Sequence, residues 1–138
     1  MNISRTVLKP WAPQFLSILR MVAAASYITH GTTKLFAWPA SVLPNGGTIP
    51  LNTMAGAGGL IEIILGPLLL VGLFTRPVAF LVCGEMAVAF FTVHFKRGFW
   101  PILNGGEVAV LYCFLWLYIS AVGPGPLSLD AMRGGDSA

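Results

Sequence analysis

The chain has 138 residues, of which 56% are hydrophobic and only 9% are charged, whereas soluble domains carry roughly 25% charged residues. Eight basic and five acidic side chains cannot cover a soluble fold of this size, so much of its surface is expected to face lipid. The formal net charge of +3 comes from basic residues scattered along the chain, and without a concentrated basic stripe nucleic acid is excluded as a partner.

The chain starts basic and then turns apolar, as a secretory signal does. Arg20 interrupts the apolar run, and His30 and Lys34 follow it. A cleavable signal needs an uninterrupted apolar core of roughly 7–15 residues. Although Ala23-Ala24-Ala25 has the composition of a cleavage site, the first segment is expected to stay as a membrane anchor.

A helix crossing the hydrocarbon layer needs about 20 largely apolar residues at about 1.5 Å rise each. Four stretches meet or nearly meet this, at about 15–36, 55–74, 77–94 and 104–122. The expected fold is an all-α integral membrane four-helix bundle in a single domain, 1–138, with a polar tail over 123–138. Breakers separate the spans. Trp38-Pro39 and Pro44-Asn45-Gly46-Gly47 open a long first loop, and Thr75-Arg76-Pro77 makes a tight turn. Residues 96–101 link the last two spans, and Gly123-Pro124-Gly125-Pro126 ends the fourth. Trp11, Trp38, Trp100 and Tyr118 fall near span ends, where amphipathic rings favour the headgroup layer. Arg5, Lys9, Arg76 and Arg133 share the side of the termini, against Lys96 and Arg97, with Lys34 nearby, on the other. That bias predicts both termini in the cytoplasm.

Every span carries ionisable residues: Arg20, His30 and Lys34 in the first, Glu62 in the second, Glu85 in the third, Glu107 in the fourth. A charge near the bilayer centre costs at least ~2.5–3.5 kcal/mol, so such groups are expected to face inward and find partners. Counted from the side opposite the termini, His30 and Glu62 lie roughly 9 Å deep and Glu85 roughly 13 Å. Glu107 and Lys34 sit within a turn of that boundary, and His94 marks the end of its helix. Arg20 alone belongs nearer the terminal side. At about 100° per residue, Arg20, Ala24, Tyr27, Gly31 and Lys34 form one stripe flanked by His30, and Gly58, Gly59 and Gly66 surround Glu62. Glu85 shares its face with Ala89 and Thr92. His94 points about 180° away from Glu85 on a regular helix, and joins the cluster only through a break near Thr92.

Each group also has a plainer reading. Asn104 to Glu107 has the spacing of a capping box, Lys34 and Arg20 are long enough to snorkel to the interfaces, and Arg20 with Glu85 or Glu62 would make a buried structural pair. His30 alone reads as a satisfied core histidine. Glu62 and Glu85 are near no cap or helix end. Three carboxylates in one apolar interior do not all ionise unaided, which suits proton exchange. Cys83 and Cys113 show neither C-x-x-C nor zinc spacing, and each reads as a buried, unreactive thiol; no metal site is expected.

His30-Gly31-x-x-Lys34-Leu35, Gly59-x-x-Glu62 and residues 72–77 (GLFTRP) are followed in order by Gly84-Glu85-Met86, His94 and Gly98-Phe99-Trp100-Pro101. Gly106-Glu107 and residues 123–130 (GPGPLSLD) close the series. This ordered set resembles the DoxX family of small four-helix membrane proteins over about residues 15–130. The resemblance implies a bacterial inner membrane location and a subunit role beside quinone-linked oxidation or membrane complexes that counter oxidative stress. It supplies no agreed catalytic set, so only the matched polar positions are carried over as candidates.

Two functions are expected to compete. The first is a quinone-linked oxidoreductase subunit. In it Glu62, Glu85, Glu107 and His30 form the candidate catalytic, proton-exchange or ligand-binding cluster, and Arg20, Tyr27, Lys34, His94 and Trp100 are candidates for holding the bound molecule. Without a dinucleotide fingerprint or a cysteine set for an iron–sulfur cluster, the electrons would come from a partner redox protein. Haem between His30 and His94 is disfavoured by their facing. The second is a non-enzymatic accessory or assembly subunit of a larger membrane complex. Solute transport is disfavoured, because no inverted repeat is evident.

Overall fold

The computed structural model describes residues 8–134; Arg5 and the end of the polar tail, residues 135–138, lie outside that range. Among the described residues every regular element is helical. The elements are α1 (Ala12–Phe36), α2 (Met54–Val71), α3 (Thr75–Ala89), a short α4 (Pro101–Asn104), α5 (Glu107–Val122) and a single-turn α6 (Leu129–Met132). A 3-10 turn (Lys9–Trp11) leads into α1. Past Ala89, α3 continues through a π-helical segment (Phe90–His94) and a 3-10 turn (Phe95–Arg97).

Local chemistry sets the ends of these helices. The long first loop folds back on α1, where the Ile49 N–H donates to the Lys34 carbonyl at 2.7 Å and the Trp38 N–H to that of Thr32 at 3.3 Å. These bonds satisfy carbonyls that a helix C-terminus leaves open. Thr53 then caps α2, its hydroxyl accepting from the Gly56 N–H at 3.0 Å. Gly72 ends α2 in the left-handed region at φ 70°. A side chain there would also collide, since a Cβ would stand 2.5 Å from that of Ser128 and 3.0 Å from the Arg20 guanidinium carbon.

α1 and α2 pack through small residues. A Cβ on Gly31 would sit 2.8 Å from the Gly59 carbonyl oxygen, so only a bare Cα lets the two backbones come this close, as in helix pairs that associate in lipid. α3 and α5 run antiparallel, and cross-contacts fix their register. The Arg76 guanidinium donates to the carbonyls of Ser120 and Ala121 at the end of α5. Further along, Cys83 meets Cys113, and His94 meets Asn104. All four long helices feed one core, in which Tyr27, Leu69, Val82, Trp116 and Ile119 are fully buried. Tyr27 packs edge-on against both Tyr112 and Trp116, with ring centroids 6.1 and 6.3 Å apart.

The outer faces are apolar as well: Phe80, Leu81, Leu111 and Phe114 are exposed. Met54–Val71 and Thr75–Arg97 are each long and apolar enough to cross a membrane, and only 28% of the apolar stretch of each is buried. A soluble protein hides such a helix in its core; here most of the stretch looks outward. α5 is apolar but has only 16 residues, and α1, at 25 residues, is long enough but more polar.

Candidate functional site

Two polar regions lie at opposite ends of α1. At the first, Arg20 is fully buried and spends its planar fork on backbone carbonyls. Nη1 donates to Leu69 at 2.5 Å and Leu70 at 2.7 Å, Nη2 to Leu127 at 2.6 Å, and Nε to Pro124 at 2.9 Å. The guanidinium thus closes the C-terminus of α2, where the helix dipole favours a cation, and holds down the segment after α5. Ser17 adds to this, its hydroxyl accepting from the Leu127 N–H at 3.1 Å. The same segment reaches α3: Asp130 accepts from the N–H groups of Phe74 and Thr75 at 2.9 and 2.8 Å. The expected pairing of Arg20 with Glu62 or Glu85 is not what the chain adopts. Open helix-end carbonyls lie beside Arg20 and take all its bonds.

The second region is a cavity of about 790 Å³, within the range of small-molecule sites. His30, Lys34, Glu62, Glu85, His94 and Tyr112 give it polar groups, and the rest of the wall is mostly apolar. Lys34 Nζ lies 2.6 Å from Glu62 Oε1, with the Glu62 side chain only 2% exposed. The second oxygen, Glu62 Oε2, is buried and has no hydrogen-bond partner among the described residues. From the buried core the Tyr27 hydroxyl donates to Glu85 Oε2 at 3.1 Å. Gly58 lies beside both Glu85 and Lys34: a Cβ on it would stand 3.3 Å from Glu85 Oε1 and 4.0 Å from Lys34 Nζ. His30 packs edge-on against Tyr112, centroids 6.0 Å apart.

His94 reaches this cavity through the break that the helical period alone leaves open. The π-helical segment Phe90–His94 widens the turn, which swings the ring to the side that Glu85 occupies. Its Nδ1–H donates to the Asn104 carbonyl at 3.2 Å, the tautomer that a carbonyl partner requires. His30 and His94 therefore border one cavity, and facing no longer separates them. Among the described residues no three His, Cys, Asp or Glu side chains converge to hold a metal ion.

Besides Arg20, and Tyr27, which is fully buried and touches Glu85 without lining the cavity, two candidates stay outside. Glu107 is exposed at the first position of α5. The capping box it suggested does not form, because Asn104 ends α4 and turns its Oδ1 to the Gly106 N–H at 2.8 Å. Trp100 is 63% exposed and packs on Phe99 rather than on the cavity. Three features escaped the reading of residue types: Tyr112 as a cavity wall, Asp130 as a cap, and the meeting of Cys83 with Cys113. Tyr112 lies at the period that also buries Ala109, Trp116 and Ile119, which is the one signal the sequence holds for any of them.

The DoxX family model matches residues 15–95, a stretch that takes in most of α1 and all of α2 and α3 with the Lys34–Glu62 and Tyr27–Glu85 pairs. The chain belongs to the DoxX family. An uncharacterized protein of Haemophilus influenzae is 43% identical over 126 residues, covering 89% of this chain and 93% of that relative. No solved structure matches the chain. Family membership together with the outward-facing apolar helices makes this a membrane protein in contact with lipid, and it associates the chain with redox or stress functions.

Proposed function

We propose that the chain is a membrane subunit of quinone-linked redox chemistry, and that the cavity beside Glu62 binds the quinone. The observation that carries this is Glu62, which lines a mostly apolar cavity and whose Oε2 is buried without a hydrogen-bond partner among the described residues. A buried polar atom left without a partner costs about 1–3 kcal/mol, and a ligand hydroxyl that donates to it, as that of a hydroquinone does, recovers it. An apolar body with a few oxygens is the chemistry such a wall selects. A quinone supplies two-electron, two-proton exchange when bound.

The chain's own residues hold and orient. Lys34 fixes the Glu62 carboxylate by a short charge-assisted bond. Tyr27 fixes the Glu85 carboxylate, and Glu85 Oε1, left to the Gly58 side, is the group positioned to take and release a proton. His30 and His94 line the same wall and extend the relay. Arg20 stands apart as a structural clasp, so it is not assigned to ligand binding. In this reading all four long helices span a bacterial inner membrane with both termini cytoplasmic, and a partner protein delivers the electrons.

The test is purification in mild detergent, extraction of bound small molecules, and absorption spectra before and after dithionite. Quinone is expected with the native chain. In Glu62→Gln it should bind about tenfold more weakly, the equivalent of about 1.4 kcal/mol for one bond. Ala89→Phe, which fills the cavity and leaves the acids alone, should also lose it. An empty native protein that co-purifies with a larger complex would favour the accessory role instead.

A further inference from the structure

The chain has only two cysteines, thirty positions apart, and the fold brings their sulfurs to 3.7 Å on facing sides of α3 and α5. Neither thiol borders the cavity. Both are half-buried and free, in a seam whose flanking positions Phe80 and Phe114 are exposed and apolar. We infer that Cys83 and Cys113 form a reversible dithiol–disulfide site in the α3–α5 seam, oxidised by a lipid-soluble quinone.

Placement is the first support. Thiols scattered without purpose along two helices would seldom meet, and here the complete cysteine content of the chain does. Distance is the second. A disulfide needs sulfurs about 2.05 Å apart, so the pair must close by about 1.7 Å, a movement of side-chain torsions rather than of helices. The third is access. The outward neighbours are apolar and face lipid, so polar oxidants such as glutathione disulfide stay in the aqueous phase while a quinone partitions to the seam. The reaction balances without further reagents. Two S–H bonds break and one S–S bond forms; the two electrons and two protons released reduce one quinone to its hydroquinone.

The consequence reaches the cavity wall. Cys113 follows Tyr112, and Cys83 lies two positions before Glu85, so the bond would clamp α3 to α5 beside two cavity residues. The inference names the same ligand class as the proposed function but a different place. Cavity binding and thiol oxidation are read separately, so either can fail alone.

The experiment uses the full chain, reduced in detergent, freed of reductant and exposed to decylubiquinone. Intact mass and alkylation by a maleimide are then recorded. The expected result is loss of two hydrogen atoms, near-complete loss of alkylatable thiol, a Cys83–Cys113 peptide pair on digestion, and full return with dithiothreitol. Cys83→Ser and Cys113→Ser should each keep the remaining thiol alkylatable. Copper phenanthroline is the control for geometry. If it forms no intramolecular bond, the pairing is overturned; if it forms the bond and the quinone does not, or the quinone adds covalently to sulfur, the assigned oxidant is overturned.

Discussion

Lys34 and Glu62 come from different helices and meet at 2.6 Å, and the acid of the pair is almost sealed from the surface while the base is 22% exposed. Removing one member of a buried pair costs about 3–5 kcal/mol. Lys34 keeps some access to its surroundings, so the lower end of that range applies to Lys34→Met. The double variant Lys34→Met/Glu62→Gln is expected to recover more than half of the loss, because no lone charge remains. Thermal unfolding in detergent across the four proteins gives the coupling. Strict additivity of the two single effects would mean that the pair contributes nothing.

Arg20 answers four carbonyls at once, from Leu69, Leu70, Pro124 and Leu127. Each acceptor left without a donor costs about 1–3 kcal/mol. Arg20→Met is therefore expected to unfold at much lower temperature or fail to accumulate. Arg20→Lys should fall between, because a single ammonium cannot reproduce the planar fork. Monodispersity after heating reports this directly. An Arg20→Met protein as heat-stable as the native chain would show that the clasp is ornamental.

Asp130 lies outside the apolar helices and gives a pH dependence with a definite sign. Burial alone would push its carboxyl up, but bonds from the Thr75 and Phe74 backbone, with Arg133 nearby, outweigh it and hold the pKa below its usual 3.8. The folded chain thus prefers the ionised form. Its contribution is complete above the unfolded value and drains away as pH falls through the lower folded one. Asp130→Ala should cost about 1 kcal/mol near neutrality, as a lost helix cap does, and should weaken the acid-induced loss of stability. Acid unfolding curves of the two proteins check this; parallel curves would remove Asp130 from the account.

Much of the fold is legible in the sequence because apolar runs and breakers are local properties. The run at 15–36 ends where α1 ends at Phe36, whereas the second span, expected to run to 74, stops at Val71: the turn falls at 72–74, and Thr75-Arg76-Pro77, expected as the turn, opens α3. The candidate site is legible only in part. Lys34, Glu62 and Glu85 stand out as ionisable groups in apolar surroundings, and the fold does gather them. Arg20 misleads because its partners are carbonyls, which every residue possesses and no residue type announces. Glu107 misleads for a different reason: depth counted along the chain says nothing about azimuth, and its side chain points out. The cysteines meet across two helices, beyond the reach of any spacing rule.

The five π-helical residues from Phe90 to His94 amount to slack taken up within one turn. Such turns are rare and appear often where a helix must present a side chain that its regular period would hide. A chain shortened by one residue there would relax to an ordinary helix, better bonded and more stable. It would also rotate the imidazole by about 100°, out toward the lipid. The irregularity is thus retained against the local preference of the backbone, and the length of this turn, rather than the identity of any residue in it, decides which way the histidine looks.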